Sequence, residues 1–259
     1  MIEINNMWKR YGDSVILENI SARVAEGEFI TLVGASGCGK STFLRMLLGT
    51  DTPSQGQILL DGKPIADEPD SDRGVVFQQY SVFPHLTVLD NVVVARAFAD
   101  SRFGFLFGAR KRAAIAEAEE LLNIVGLSHM QHRYPDALSG GMRQRLAIAQ
   151  ALILKPRILL LDEPFGALDP GIRADMHELV LRLWRQHKLT IFMVTHDLKE
   201  GFHLGTRLWV FDKLRNDPQA PNAYGAGITY DLPVGACEPE LLEEIDQSMT
   251  ATDAVVDSL

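Results

Sequence analysis

The sequence predicts an α/β protein built on a parallel sheet with helices on both faces. Three observations predict it. Apolar runs of strand length, at Phe29–Val33, Ile158–Leu161 and Leu189–Val194, carry few polar positions, as strands covered on both faces do. These runs alternate with helix-period segments, the pattern of β–α–β units. Phe29–Val33 is followed at once by Gly34–Thr42 and then by Phe43–Leu48, which is apolar, free of Gly and Pro, and closed by Gly49. That order is strand, glycine-rich loop, helix.

Each element has its own signal. Residues 2–8 and 15–24 alternate apolar and polar around the turn Gly12-Asp13, as paired strands do. Gln57–Leu60 reads as a short strand closed by Asp61-Gly62. Residues 63–72, polar with two prolines, read as a loop, and Arg73–Phe77 as a strand with Gln78 at its end. Val88–Phe98 and Ala109–Val125 are helical; Ile115, Ala118, Leu122 and Val125 share a face of the second. Ser139 suits the N-cap of a third helix, with Met142, Leu146, Ala149 and Ile153 on one side. These three helices, about 87–155, break the alternation and read as a helical insertion into the core. A helix follows from about Gly171 to His187, then strands at Arg207–Phe211 and Gly227–Tyr230.

Composition bounds the function. The chain has 259 residues and a net charge of −9. Residues 1–215 balance 25 basic against 25 acidic side chains, and residues 216–259 hold nine acids and no Lys or Arg. No basic face of the kind nucleic acid requires is visible. No apolar run approaches the ~18 residues of a membrane span, and the N-terminus has no signal-peptide pattern. The two cysteines, Cys38 and Cys237, form no framework and suit a reducing cytosol.

The chemistry lies at strand ends. In Gly34, Ala35, Ser36, Gly37, Cys38, Gly39, Lys40, Ser41 and Thr42 the glycines let backbone N–H groups converge on one pocket. The next helix adds its positive end. Lys40 has the reach for β- and γ-phosphates, and the Ser41 hydroxyl suits Mg²⁺. Ligands of open parallel sheets collect at the carboxyl ends of strands, and Gln78, Asp162, Glu163 and His196 sit at such ends. Two adjacent carboxylates closing a buried strand call for a cation. Asp162 is then the Mg²⁺ partner of Ser41, and Glu163, facing the other side of the strand, is a general base for an attacking water. His196 suits a hydrogen bond to the γ-phosphate. Ser139, Gly140 and Gly141 form a second anion cradle at a helix start. Two cradles with one carboxylate set fit two copies arranged head-to-tail, each lending its second cradle to the other's nucleotide.

In this order and spacing the chain resembles the ATPase subunits of ATP-binding cassette (ABC) transporters over about residues 1–212. Gly34–Thr42 matches the Walker A loop and Ile158–Asp162 the Walker B strand. Leu138–Met142 matches the signature and Ala167-Leu168-Asp169 the D-loop. Gln78 matches the Q-loop, His196 the switch histidine, and Tyr11 the aromatic that stacks on adenine. The resemblance implies a P-loop NTPase with a RecA-like core, an antiparallel β-subdomain and an inserted α-helical subdomain. It also implies ATP and Mg²⁺ as cofactors, with Gln78 beside Ser41 and Asp162 at the metal, and Glu163, His196 and Gln78 as the catalytic set. The implied protein is an active ATPase, peripheral on the cytoplasmic face of the membrane. Its implied partners are a second copy or a paralogous ATPase, permease subunits and, indirectly, a solute-binding protein. Phe83–Val88 and Arg133-Tyr134-Pro135 resemble the nitrate/sulfonate/taurine-type importer branch.

Two stretches depart from typical members: the Phe-rich link 101–108 and the loop 217–225. The loop resembles ATPases of urea-carboxylase-type nitrogen-uptake clusters, which leaves a urea-related nitrogen solute beside the nitrate type. The link is either a local core or a partner-facing patch. The rival reading is a soluble ABC ATPase acting on nucleic acid or ribosomes; one cassette, no heptad run and an acidic end speak against it. The cassette is expected over residues 1–235, with 236–259 an acidic tail holding a short helix from about Glu238.

Overall fold

β1 (Ile2–Tyr11) and β2 (Ser14–Val24) form the antiparallel pair that the alternation predicts. A computed structural model describes residues 1–78, 81–101, 104–215, 219–220 and 222–234. The expected tail helix and parts of the Phe-rich link and of loop 217–225 lie outside the described residues. The chain divides into two units: residues 1–70 with 188–259, and residues 71–187.

The first unit holds two sheets. One is antiparallel, in the order β2-β1-β4-β5, with β4 at Gln55–Leu60 and β5 at Lys63–Pro64. The two-residue β5 opens the stretch that the sequence reads as loop. It pairs through Leu59 and Leu60, a pairing too short to leave a period.

The second sheet of this unit runs β10-β9-β3-β8. β3 is Phe29–Val33, β8 Thr190–Val194, β9 Arg207–Asp212 and β10 Gly227–Pro233. β9, β3 and β8 are parallel, and β10 is antiparallel to β9. Alternating side chains sort to two faces. Trp209, Phe211 and Phe192 meet Phe43 of α1 (Lys40–Leu48), with ring centroids 6.0, 5.5 and 6.2 Å from it. Leu208, Val210 and Val33 pack instead with Leu198 of α6 (Leu198–Leu204). Thr31, on the α6 side, donates to the Gly201 carbonyl at 3.0 Å. α6 has no counterpart in the sequence reading. Seven residues are too few for a period, and so short a helix holds only by docking.

The second unit pairs β6 (Arg73–Val76) with β7 (Ile158–Asp162) in parallel. It also carries α2 (Val88–Asp100), α3 (Gly108–Ile124), α4 (Gly140–Leu152) and α5 (Pro170–His187). The three helices expected over 87–155 all form within it. On α4, burial extends beyond the expected stripe to Gly141, Gln144, Ala147, Ile148 and Ala151, while Met142 is only half-buried. Tertiary packing covers more of this helix than an amphipathic pattern implies.

Candidate functional site

The glycine-rich loop joins β3 to α1 in the first unit. Gly34 has φ 147°, and a Cβ there would lie 2.1 Å from the Phe211 carbonyl oxygen. Only glycine lets the loop leave the sheet so close to β9. Gly39, with φ 89°, is the left-handed N-cap of α1 and provides no side-chain cap to its first turn. Lys40 is 5% exposed. Its Nζ donates to the carbonyls of Gly34 at 2.6 Å and Ala35 at 2.8 Å. The ammonium thus closes the loop on itself, a second use beside the phosphate contact expected of it. Cys38 Sγ lies 3.6 Å from the same Nζ. Burial pushes the Cys38 thiol up, although the Lys40 ammonium acts in the opposite sense. The thiolate is disfavoured, and Cys38 serves the loop as a small packing residue.

Tyr11 ends β1 and is 47% exposed. Its hydroxyl donates to Asp51, whose carboxylate also pairs with the buried Lys9. The Lys9 ammonium stands 4.7 Å from the centre of the Tyr11 ring, and Lys9 Nζ also donates to the Thr52 carbonyl at 2.8 Å. Burial first, then the Asp51 bond and charge, raise the Tyr11 phenol above its ordinary value. Lys9 and Asp51 therefore fix the ring. Sequence reasoning passed over both, because a lysine and an aspartate more than forty positions apart carry no local signal.

His196 is exposed in the turn between β8 and α6. Asp197 beside it caps α6 by accepting from the Lys199 and Glu200 amides at 2.9 and 3.1 Å. The buried Thr195 hydroxyl meets Glu200 Oε2 at 2.5 Å, so both neighbours of the His196 turn are tied to α6.

Loop 217–225 gains a structural role from its described residues. The Val15 amide donates to the Asn222 carbonyl at 3.0 Å, the Glu18 amide to Ala226 at 2.9 Å, and the Ala226 amide to Ile16 at 2.9 Å. Arg215 bonds Glu18 at 2.6 Å and stands 4.2 Å from the Tyr224 ring centre. β2 is an edge strand of its sheet, and this segment covers that edge. A Cβ on Gly39 would touch Leu17 at 2.7 Å, so the covered strand also backs the glycine-rich loop.

In the second unit Asp162 ends β7, half-buried behind the fully buried Leu159, Leu160 and Leu161. Glu163 has φ 48°. The alternation argument for its direction is thereby corrected. A left-handed residue after the last strand residue aims the side chain, and such a conformation costs a non-glycine about 1–3 kcal/mol. Gln78 Nε2 donates to Glu163 Oε2 at 3.0 Å. The structure thus joins two candidates that lie 85 positions apart.

The stretch expected to form the second cradle opens α4. The Ser139 hydroxyl accepts from the Met142 amide at 3.3 Å, the N-cap geometry expected of it. A Cβ on Gly141 would lie 2.5 Å from Ile172 Cγ2, so the helix start is seated against α5 by the absence of a side chain.

The two stretches resembling the nitrate-type branch are neighbours in this unit. The Val88 amide donates to Arg133 O at 2.8 Å, and the Leu89 amide to Gln131 O at 2.9 Å. Asn91, fully buried, clamps the first stretch. Its two Nδ2 hydrogens are shared among the carbonyls of Phe83, Leu86 and Thr87 at 3.0, 3.0 and 2.9 Å. Its Oδ1 accepts from the Phe83 amide at 2.7 Å. Asn91→Leu keeps the volume and strands these groups. The expected result is a loss of about 2–4 kcal/mol in unfolding free energy, read by chemical denaturation. A variant as stable as the parent would show that the loop holds without its clamp.

Among the described residues no group of three or more His, Cys, Asp and Glu is placed to hold a metal. Mg²⁺ in nucleotide sites needs none: it takes one or two side-chain oxygens, and phosphates and water fill the rest. The Ser41 hydroxyl and the Asp162 carboxylate are hard oxygen donors of that kind.

Residues 17–166 match the family described as ABC transporter. The chain is 41% identical over 223 residues to a nitrate import ATP-binding protein of Synechocystis sp., covering 86% of this chain and 78% of that one. It is 43% identical over 215 residues to a spermidine/putrescine import ATP-binding protein of Nitrosomonas eutropha, covering 82% of this chain and 57% of that one. Among solved structures, a dimeric ATP-binding cassette in a post-hydrolysis state with ADP and Pi matches at TM-score 0.72 and 29% identity. That match covers 90% of this chain and 99% of the other. The fold is that of a P-loop NTPase with an antiparallel β-subdomain. The chain belongs to the ABC transporter family, as an ATP-binding cassette that hydrolyses ATP.

Proposed function

We propose that the chain is the energy-coupling subunit of an importer, peripheral on the cytoplasmic face of the membrane and docked on permease subunits. It works as a head-to-tail dimer with a second copy or a paralogous ATPase. Lys40 and the amides of Gly34–Thr42 take the phosphates of ATP, and Tyr11 takes the adenine. Ser41 and Asp162, with Gln78, hold Mg²⁺, which neutralises phosphate charge when bound. Glu163 accepts the proton of the attacking water, and Gln78, bonded to its carboxylate, keeps that carboxylate aimed. His196 donates to the γ-phosphate. Ser139, Gly140 and Gly141 serve the partner's nucleotide. Residues 1–235 are the cassette, with 87–155 its helical subdomain, and 236–259 an appendage.

One observation carries this reading. A single chain holds a phosphate loop closed by Lys40, a Gln78–Glu163 pair at the end of a buried strand, and a second anion cradle capped by Ser139. The import reading is supported by the relatives, which are named for nitrate, bicarbonate and spermidine/putrescine at 41–43% identity. Such different solutes at one level of identity indicate that the cassette does not read the solute. Lineage is the only pointer to the solute: Phe83–Val88 and Arg133–Pro135 resemble the nitrate-type branch, and loop 217–225 resembles ATPases of urea-related nitrogen uptake.

The dimer is tested by mixing two inactive variants. Ser139→Arg fills the second cradle with a bulky cation, and Lys40→Ala removes the phosphate-side cation. A heterodimer of the two retains one site with both cradles intact. Low turnover in the mixture and none in either parent is the expected result. Full activity of Ser139→Arg alone would rule out the shared site.

A further inference from the structure

The link between α2 and α3 resolves into one buried residue and several exposed ones. Leu106 packs with Ala97 and Ala114. Phe105 and Phe107, on either side of it, are 67% and 78% exposed, and Phe98 at the end of α2 is 63% exposed. A Cβ on Gly104, whose φ is 68°, would lie 2.8 Å from the Phe98 ring. The Phe105 and Phe107 ring centres are 6.4 Å apart. The three phenyl groups thus cluster at one tip without entering the core. Among the described residues of the link, Leu106 is the one that meets the local-core alternative; Phe103 lies outside them.

The charge at this tip runs against the rest of the chain. Residues 96–112 contain Arg96, Arg102, Arg110, Lys111 and Arg112 but a single acid, Asp100, in a chain of net charge −9. Asp100 pairs with Arg96 at 2.8 Å. Arg110, Lys111 and Arg112 are exposed in the first turn or so of α3. That helix has no acid in its first turn and no side-chain cap, since its N-cap is Phe107. Three cations at the positive end of a helix oppose its dipole. A local rule broken beside exposed aromatics marks a surface shaped for a contact. The contact has to supply negative charge and an apolar layer together.

We propose that this tip, Phe98, Phe105 and Phe107 with Arg110, Lys111 and Arg112, seats on an anionic lipid bilayer. The phenyl rings enter the boundary of headgroups and acyl chains, and the cations face lipid phosphates. A lipid surface fits better than a protein groove. Three consecutive helical residues fan over about 200° of the helix, so a rigid groove on one side meets only part of them. A deformable leaflet reaches all three. The contact needs no nucleotide, so it stands or falls apart from the ATPase chemistry.

The test is flotation of the full chain, without nucleotide, on two vesicle types. One contains phosphatidylcholine with about a third phosphatidylglycerol, the other phosphatidylcholine alone; the composition is chosen to give the leaflet the negative charge the cations need. Binding to the first and not to the second, weakened by high salt, is expected. Arg110→Gln/Lys111→Gln/Arg112→Gln should lower partitioning about a hundredfold, at about five-fold per neutralised charge. Phe98→Ser/Phe105→Ser/Phe107→Ser should lower it at least tenfold. Circular dichroism confirms that each variant is folded, and the exposed Gln variant decides the matter if the Ser variant is not. No flotation on the anionic vesicles, or flotation that both variants leave unchanged, overturns the proposal. Flotation only on vesicles that carry reconstituted permease overturns it in favour of a protein contact.

Discussion

Glu163→Gln is expected to bind MgATP as the parent does and to turn it over about 10²–10⁴-fold more slowly, the range that a positioned general base contributes. The structure makes this a clean substitution. The new carboxamide has the shape of the carboxylate, and Gln78 Nε2, now 3.0 Å from Glu163 Oε2, still finds an oxygen acceptor. Neither side chain is β-branched, so the left-handed backbone at φ 48° is no harder to hold. What changes is the charge and, with it, the ability to take a proton. With hydrolysis stalled, ATP stays bound and the closed dimer accumulates. Steady-state phosphate release at saturating MgATP measures the first effect, and size exclusion in MgATP the second. Turnover within a few-fold of the parent would remove Glu163 as the base and leave its bond to Gln78 as a structural one.

What the sequence allows to be read here follows from the range of the signal. The runs at Phe29–Val33, Ile158–Leu161 and Leu189–Val194 are legible because a strand covered on both faces is apolar at nearly every step, and a strand forms at each, the last over Thr190–Val194. The Ser139 cap is legible because a cap is a contact between residues three apart. Where the decisive contact is distant, the reading stops. Lys9, Tyr11 and Asp51 meet across some forty residues. Asn91 is one polar residue in an apolar helix until its four bonds to Phe83, Leu86 and Thr87 are in place. The direction of Glu163 depends on a positive φ that only the whole turn imposes. For the Phe-rich link the sequence leaves a local core and a partner-facing patch open, because side-chain burial there depends on α2 and α3; the structure buries Leu106 against Ala97 and Ala114 and exposes Phe105 and Phe107.

Lys40→Ala is the other large effect, and it separates two functions of one ammonium. The sequence assigns Lys40 to the phosphates. The structure shows its Nζ bonded to the carbonyls of Gly34 and Ala35, inside a loop that leaves the sheet at Gly34, where a Cβ would meet the Phe211 carbonyl. Truncation removes the cation expected to balance the phosphates and takes the ammonium from both carbonyls, leaving that of Ala35 with the Cys38 amide at 3.4 Å. Hydrogen bonds to charged groups contribute about 1.5–3 kcal/mol each. ATP affinity should therefore fall about 10–100-fold, and turnover to near background. The protein without nucleotide should also lose about 1–3 kcal/mol of stability, as the loop loses its internal tie. Lys40→Arg keeps the charge but replaces a compact point donor by a planar fork, so it should recover little of the affinity. Titration with a fluorescent ATP analogue, phosphate release and denaturant unfolding report the three quantities separately. Stability lost with affinity intact would make Lys40 a tie within the loop and nothing more. Affinity lost with stability intact would make the carbonyl bonds incidental.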